Sequence, residues 1–250
     1  MPVLCVIPAR LGSTRLPRKL LQPLGGVPLV VRVAERARAI GGFDALVVAT
    51  DAAEIAAVVE RAGFRAVLTR STHQSGTERV AEAAGRAEFA GYGTILNVQG
   101  DEPFLPAEAV AGALARVRGG DAVGTAAAPL PAAEAEDPSR VKVVTDAQGR
   151  ALYFSRARIP YPRDAGPDGA VRYWQHIGIY AYTRAALTAW VGWPPAPLEE
   201  AERLEQLRAL YHGLPVGVAP LAGAAPPGID TAEDLRRAEA LWLSTHGVHA

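Results

Sequence analysis

The chain has 250 residues, 49% of them hydrophobic, enough to bury a substantial core as one α/β domain or as two small ones. Its 26 basic and 26 acidic residues leave a formal net charge of zero, which excludes a global attraction to nucleic acid or to an anionic membrane, so any electropositive site must act locally. No apolar stretch approaches the roughly 18 to 20 residues of a bilayer span, and the N-terminus lacks a secretory pattern, so a cytoplasmic location is expected. The single cysteine, Cys5, lies inside an apolar run, fits a reducing compartment and reads as core filling.

In chain order, the first half alternates short apolar runs with amphipathic segments: strand 3–7, helix 28–40, strand 45–49, helix 52–62, strand 66–68, helix 77–88, strand 94–98 and helix 106–117. This alternation predicts a parallel sheet covered by helices. Pro28 suits a first helical position, Asp51 is placed to cap the second helix, and Gly63 to end it in a left-handed conformation. After Asp121 the β-like runs 122–129, 141–145, 151–155 and 175–182, with a hairpin turn at Asp146-Ala147-Gln148-Gly149, predict a mostly antiparallel section. The Pro- and Gly-rich segment 160–169 reads equally as a substrate loop or a connector. A Pro-rich break at 194–197 precedes an amphipathic helix at 198–211, a strand near 216–219 and a final helix near 231–243 capped by Asp230 or Thr231. No repeat or linker interrupts the chain, and a single domain over 1–250 is expected. His246 and His249, beside Gly247 at the chain end, read as a frayed terminus.

Open α/β sheets bind ligands beyond the carboxyl ends of their strands. The loop that leaves the first strand, Arg10-Leu11-Gly12-Ser13-Thr14-Arg15-Leu16-Pro17-Arg18-Lys19, fits a polyphosphate there. Gly12 lets the backbone approach, Ser13 and Thr14 add hydroxyls, and Arg10, Arg15 and Lys19 can neutralise phosphates by charge-assisted hydrogen bonds, with Arg18 left to solvent. The competing reading is a plain basic surface loop. Asn97-Val98-Gln99-Gly100-Asp101-Glu102-Pro103 should emerge on the same sheet edge, which makes Asp101 a candidate magnesium ligand, because a hard cation on nucleotide phosphates takes one or two carboxylates. Its alternative role is to cap the helix that begins near Pro106. Asp230 offers a second carboxylate, but an Asp before an amphipathic helix is a routine cap, and local sequence favours that role.

Thr72-His73-Gln74-Ser75-Gly76-Thr77-Glu78-Arg79 has the amide, hydroxyl and guanidinium groups to read a base edge and hold a ribose or phosphate, and equally makes a capping box of Ser75 and Glu78. In the second half, Tyr153-Phe154-Ser155-Arg156, Arg163 and Gln175-His176-Ile177-Gly178-Ile179-Tyr180 supply the set that a polar sugar acid needs, with Arg suited to bidentate carboxylate recognition. His176 by itself reads as core packing, and Glu199, Glu200, Glu202 and Glu205 as a solvated helix face. There is no Walker A segment, Gly-x-Gly-x-x-Gly, nucleophile elbow, Cys-x-x-Cys pair or zinc-protease helix.

Taken in order over nearly the whole chain, IPARLGSTRLPRK, TDAAEIA, HQSGTERVAE, NVQGDEP, VKVVTDAQGRALYFSRARIPYPRD, QHIGIYAY, LEQLR and GIDTAEDL closely resemble the family of 3-deoxy-manno-octulosonate (Kdo) cytidylyltransferases. The opening loop is shared loosely with other sugar nucleotidyltransferases, whereas HQSGTER, NVQGDEP and the second-half blocks are more specific. The resemblance implies an α/β, single-domain Rossmann-like nucleotidyltransferase fold: a mainly parallel central sheet with helices on both faces and an antiparallel β extension. It also implies a homodimer, with the sugar-acid site and dimer elements carried after about residue 121. The implied reaction joins CTP to Kdo, giving CMP-Kdo and pyrophosphate for lipopolysaccharide biosynthesis, with Mg2+ as cofactor.

Carried over by position, Arg10, Lys19, Asp101 and Asp230 are catalytic, and Asp101 and Asp230 hold the metal. Arg10, Arg15 and Lys19 hold the triphosphate, and Gln74, Ser75, Gly76, Thr77 and Arg79 form the cytidine pocket. Gln99, Arg156, Arg163, His176, Tyr180, Glu205 and Gln206 line the sugar-acid site. At Asp230 the resemblance outweighs the cap reading. Arg18 in place of a common small residue, Tyr161-Pro162 before Arg163, and Glu200 in place of a frequent His bear on loop shape and fine substrate preference. Two alternative readings share these residues: a cytidylyltransferase for another acid sugar, such as amino-Kdo or a nonulosonate, and a non-catalytic nucleotide-binding protein.

Overall fold

Seven consecutive buried residues, Val3–Ala9, form the first strand, β1, and set the centre of a parallel sheet. The computed structural model describes residues 1–163, 171–226 and 228–246, which divide into two compact units: Met1–Leu105 with Pro226–Ala250, and Pro106–Ala225. In the first unit, β2 (Pro23–Leu24) and β3 (Val27–Pro28) make a short hairpin whose turn, Gly25-Gly26, has both φ angles positive. Paired positive φ values are what a two-residue hairpin loop demands. Then follow α1 (Leu29–Ile40), β4 (Ala45–Thr50), α2 (Ala53–Arg61), β5 (Arg65–Leu68), α3 (Gly76–Ala84) and β6 (Thr94–Asn97). Outside the β2–β3 hairpin, the strands of this unit lie in the order β6–β1–β4–β5 and each of these pairings is parallel. The carboxyl ends Ala9, Thr50, Leu68 and Asn97 therefore share one sheet edge. Cys5 is fully buried in β1, and burial pushes its thiol pKa up, as befits a packing residue.

Local chemistry departs from expectation at three places in this unit. Pro28 takes the N-cap position of α1 in place of the first helical position. Asp51 does not cap α2: Ala52 holds that position without a side-chain bond, because the Asp51 carboxylate is drawn to the Arg79 guanidinium at 2.8 Å. The helix expected over 77–88 stops at Ala84, where Gly85 provides the C-cap, and a separate 3₁₀ turn over Ala87–Phe89 buries Phe89. Gly63 (φ +77°) ends α2 in the left-handed conformation, as expected.

The second unit contains α4 (Ala107–Arg118), β7 (Val123–Leu130), β8 (Lys142–Thr145), β9 (Ala151–Ser155), β10 (Tyr173–Thr183), α5 (Arg184–Gly192), α6 (Pro197–Glu202), α7 (Gln206–Tyr211) and β11 (Val216–Pro220). β11 pairs parallel with β7, while β7–β10, β10–β8 and β8–β9 are antiparallel. The β8–β9 turn is the expected one: Asp146 Oδ1 accepts from the amides of Gln148 and Arg150, and Gly149 has φ +72°. Helix α4 packs so closely on β7 that a Cβ at Gly124 would stand 2.0 Å from the Ala113 carbonyl oxygen. The helix expected over 198–211 is broken into α6 and α7 by Arg203, at φ +53°.

The chain then returns to the first unit with α8 (Ala232–His246), which runs beyond the expected 231–243. Trp242 of α8 lies under the Arg32 guanidinium, 4.2 Å from the ring centroid, and Glu239 accepts from the Gly25 amide at 2.9 Å. Residues 164–169 of the Pro- and Gly-rich segment, and His249, lie outside the described residues. Among the described residues no helix is long and apolar enough to cross a membrane.

Candidate active site

Lys19 opens a 3₁₀ turn, Lys19–Leu21, anchored by buried Leu20 and preceded by Arg18 in the left-handed region (φ 54°). That bend turns the Lys19 side chain inward, where it is 14% exposed, while Arg18 pairs at the surface with Glu54. Lys19 Nζ donates to Asp101 Oδ2 at 2.5 Å and to Asp230 Oδ1 at 3.0 Å, and Arg15 Nη2 reaches Asp230 Oδ2 at 3.0 Å. Burial pulls the Lys19 pKa down, but Asp101 and Asp230 together outweigh it and hold the ammonium above the ordinary lysine range.

Two backbone features bring the carboxylates together. The turn after β6 passes so close to β1 that a Cβ at Gly100 would lie 2.9 Å from the Pro8 carbonyl oxygen. Ile229 N–H donates to the Asp101 carbonyl at 3.0 Å, which seats Asp230 beside Asp101 although the two lie far apart in sequence. Neither carboxylate caps a helix. Pro106 precedes α4 as its N-cap. At α8, Thr231 Oγ1 accepts the Asp234 amide at 3.1 Å, and Asp234 Oδ2 accepts from Thr231 N at 2.9 Å and Asp230 N at 3.2 Å. This reciprocal cap releases the Asp230 side chain to the cations.

A pair of oxygen ligands meeting at one cation fits magnesium, which usually takes one or two carboxylates and completes its shell with water and phosphate oxygens. Among the described residues no group of three or more His, Cys, Asp or Glu could hold a metal.

The other first-unit residues gather at the same sheet edge. Arg10 is exposed just past β1. Ser75 caps α3 by accepting the Glu78 amide at 3.2 Å, and Glu78 returns to the Gln74 amide at 2.9 Å, so the box closes one residue earlier than expected. A Cβ at Gly76 would lie 3.5 Å from Pro8 and 3.8 Å from Gln99 Oε1, which places the start of α3 beside the exits of β1 and β6. Gln99 Nε2 lies 3.4 Å from Asn97 Oδ1. Thr77 and Arg79 are buried, and Arg79 donates to Asp51 at 2.8 Å and to Thr69 Oγ1 at 2.5 Å, so its guanidinium braces the 69–79 segment from beneath. His73, between Glu78 and Glu82, braces it from the side; burial raises the Glu82 pKa, and bonds from His73 and Arg70 outweigh that to lower it.

In the second unit, His176 Nε2 meets Thr125 Oγ1 at 3.0 Å, and its ring packs against Phe154 and Tyr180 with centroids at 5.0 and 5.4 Å. Burial lowers its pKa to about 3, so the ring is neutral and performs the packing role expected of it. Tyr180 continues the cluster towards Tyr182 and Trp190. Glu205 and Gln206 sit at the start of α7, Arg163 is exposed, and the Arg156 guanidinium donates to backbone carbonyls, including that of Glu202 at 2.7 Å. Sequence reasoning did not single out Lys142, and it read Asp51 as a helix cap and Glu202 as part of a solvated face, whereas Asp51 pairs with Arg79 and Glu202 with Ser155 and the Arg156 amide. A lysine inside the apolar run Val141-Lys142-Val143-Val144 was the available signal for Lys142. The local signals at Asp51 and Glu202 point to a cap and a solvated face, because the residue on which each acts is distant in sequence.

A cytidylyltransferase family model matches residues 4–216. A 3-deoxy-manno-octulosonate cytidylyltransferase of Gemmatimonas aurantiaca is 54% identical over 254 residues, covering 100% of this chain and 98% of that one. One of the same name from Methylococcus capsulatus is 50% identical over 243 residues, covering 93% of this chain and 94% of its own. Among solved structures, a CMP:2-keto-3-deoxy-manno-octonic acid synthetase complexed with CTP matches with a TM-score of 0.91 and 38% identity, over 98% of this chain and 100% of that one.

Proposed function

The chain belongs to the cytidylyltransferase family, among its 3-deoxy-manno-octulosonate members, and we propose that it transfers the cytidylyl group of CTP to Kdo, giving CMP-Kdo and pyrophosphate. The observation that carries this reading is the meeting of Asp101, Asp230, Lys19 and Arg15 beyond the exit of β1. The anomeric hydroxyl of Kdo attacks the α-phosphorus in line, its proton passing to solvent, and the bond to pyrophosphate breaks as the new P–O bond forms. Arg10, Arg15 and Lys19 receive the triphosphate and absorb the charge that grows on its oxygens. Asp101 and Asp230 are the residues that would hold magnesium, which when bound would supply charge neutralisation on the phosphates and ease ionisation of the hydroxyl.

The segment Gln74, Ser75, Gly76 and Thr77 holds the cytidine, with Arg79 as its brace. Gln99, Arg156, Arg163, His176, Tyr180, Glu205 and Gln206 serve the sugar acid. Positioning and electrostatics supply most of the acceleration. The enzyme works in the cytoplasm as a homodimer, and its product feeds lipopolysaccharide assembly. The test is pyrophosphate release from CTP, magnesium and Kdo, with ATP, GTP and UTP as controls and with a panel of other acid sugars. Release with CTP and Kdo that Asp101→Ala abolishes, while CTP still binds, supports the proposal. Absence of release, equal release with the other nucleotides, or near-normal turnover by Asp101→Ala refutes it.

A further inference from the structure

Lys142 lies in β8 with no exposure, and its Nζ donates to the backbone carbonyls of Asp137 at 2.9 Å and Arg156 at 2.6 Å. Burial pulls its pKa below the ordinary lysine range, against the opposing pull of Asp137, Glu136 and Glu202. The chemistry of the nucleotide site gives this ammonium no role.

Glu202 addresses the same stretch of β9 and its exit. Its carboxylate accepts from Ser155 Oγ at 2.6 Å and from the Arg156 amide at 2.9 Å, and its backbone carbonyl accepts from Arg156 Nε at 2.7 Å. Arg156 then donates through Nη1 to the Pro138 carbonyl at 3.0 Å and through Nη2 to the Arg203 carbonyl at 3.3 Å. Its guanidinium thus ties the segment before β8 to the turn after α6. That turn is the left-handed Arg203, and the Leu204 amide closes it on the Glu199 carbonyl at 3.2 Å. Glu205 and Gln206 follow at once and begin α7, which Arg208 pins from within by paired bonds of 2.6 and 2.8 Å to Glu199.

We propose that Lys142 and Glu202 are positioning residues for the acid sugar: they fix Arg156 and the left-handed Arg203, and so set how Glu205 and Gln206 are presented to the substrate. The inference rests on the reading, given above, that Glu205 and Gln206 serve the sugar acid. An arginine bonded through all three guanidinium nitrogens to backbone carbonyls links the left-handed Arg203 turn to the end of β9, whose Arg156 carbonyl is held in turn by the buried Lys142. An over-determined turn of this kind holds side chains more narrowly than a continuous solvated helix would.

The experiment is steady-state kinetics on Glu202→Ala, Glu202→Gln and Lys142→Met, with Gln206→Ala as reference and calorimetric CTP affinity to count folded sites. The expected result is a KM for Kdo raised about tenfold in Glu202→Ala and Lys142→Met and about threefold in Glu202→Gln, which keeps an acceptor for the Arg156 amide. CTP affinity should stay within about twofold and kcat within about threefold. If Gln206→Ala raises KM while the Glu202 variants leave it unchanged, the positioning role is overturned. If CTP affinity falls in parallel with the Kdo KM, Glu202 and Lys142 serve general stability and the proposal fails as well. If Gln206→Ala itself has no effect on the KM, the assignment of α7 to the sugar acid fails first. Should Lys142→Met not fold, the graded Glu202 pair decides.

Discussion

Replacing Lys19 by Met removes the ammonium that Asp101 and Asp230 share and leaves the two carboxylates facing each other with Arg15 beside them. Both oxygens lie within hydrogen-bond reach of one nitrogen, so they are close neighbours. Two unit charges about 5 Å apart repel by about 3 kcal/mol at an effective dielectric of about 20. The Asp230 side chain is 47% exposed, and solvent screening trims this to about 1–2 kcal/mol. A divalent cation relieves that repulsion and no longer competes with Lys19 for the carboxylates. Lys19→Met should therefore bind Mn2+ about tenfold more tightly than the native protein in the absence of nucleotide, since about 1.4 kcal/mol is a factor of ten. The same change should lower turnover by more than about 100-fold, because the triphosphate loses a largely buried cation. Paramagnetic resonance titration of Mn2+ without CTP measures the first effect and pyrophosphate release the second. Equal or weaker Mn2+ binding by Lys19→Met would show that Lys19 does not stand in the place of the metal's charge, and would refute the reasoning. Lys19→Arg, which keeps the charge, should show no gain in Mn2+ affinity.

His176, with its pKa lowered to about 3 by burial, should show no titration of its ring resonances between pH 5 and 8 in NMR spectra of the folded protein. The unfolded chain takes up that proton near pH 6.5, so the stability His176 contributes is complete above that pH and is lost as pH falls towards 3; a ring titrating near 6.5 in the folded state would contradict this. Arg203→Gly should raise the melting temperature by about 2–4 °C, because glycine takes the left-handed conformation without the roughly 1 kcal/mol that a side chain costs there, and the Arg203 carbonyl that accepts from Arg156 is kept. Gly124→Ala should cost about 3 kcal/mol in chemical denaturation, since its methyl would meet the Ala113 carbonyl oxygen at 2.0 Å; an unchanged midpoint would mean that α4 slides freely on β7.

The parallel half was legible because its signals are local. Unbroken apolar runs such as Leu4–Ile7 and Val47–Ala49, bounded by turn residues, read as strands buried on both faces, and in a parallel sheet the loops leaving them meet at one edge. The antiparallel section was legible at its turn, where Asp146 and Gly149 dictate the hairpin. What stayed hidden were features decided by a distant partner where local sequence offered a competing role. Asp51 has the sequence context of a cap, yet a buried guanidinium on α3 attracts it more strongly than the open amides of α2 do. The Glu-rich stretch 199–205 has the period of a solvated helix. Glu199 nonetheless pairs with buried Arg208 and Glu202 with Arg156 and Ser155, and these contacts break the helix at Arg203. Charge alone cannot separate a solvated glutamate from one that holds a turn, because the difference lies in what the fold brings opposite it.

Asp230 shows how such a conflict is resolved. Asp before an amphipathic helix is a common start signal, and the composition of Ile229-Asp230-Thr231 gives no reason to prefer a ligand. The deciding residue stands four positions later. Asp234 accepts the amides of both Asp230 and Thr231, and Thr231 accepts that of Asp234, so the first-turn amide that a cap side chain serves is already taken by Thr231. Burial pushes the Asp234 pKa up, and the bonds from Thr231 and Asp230 outweigh it and pull it down, which keeps the cap charged. The carboxylate of Asp230 then has no helix to serve and turns to Lys19 and Arg15. An Asp-Thr-x-x-Asp sequence thus contains two candidate caps but needs one, and the surplus carboxylate at its head is the one free to take part in chemistry.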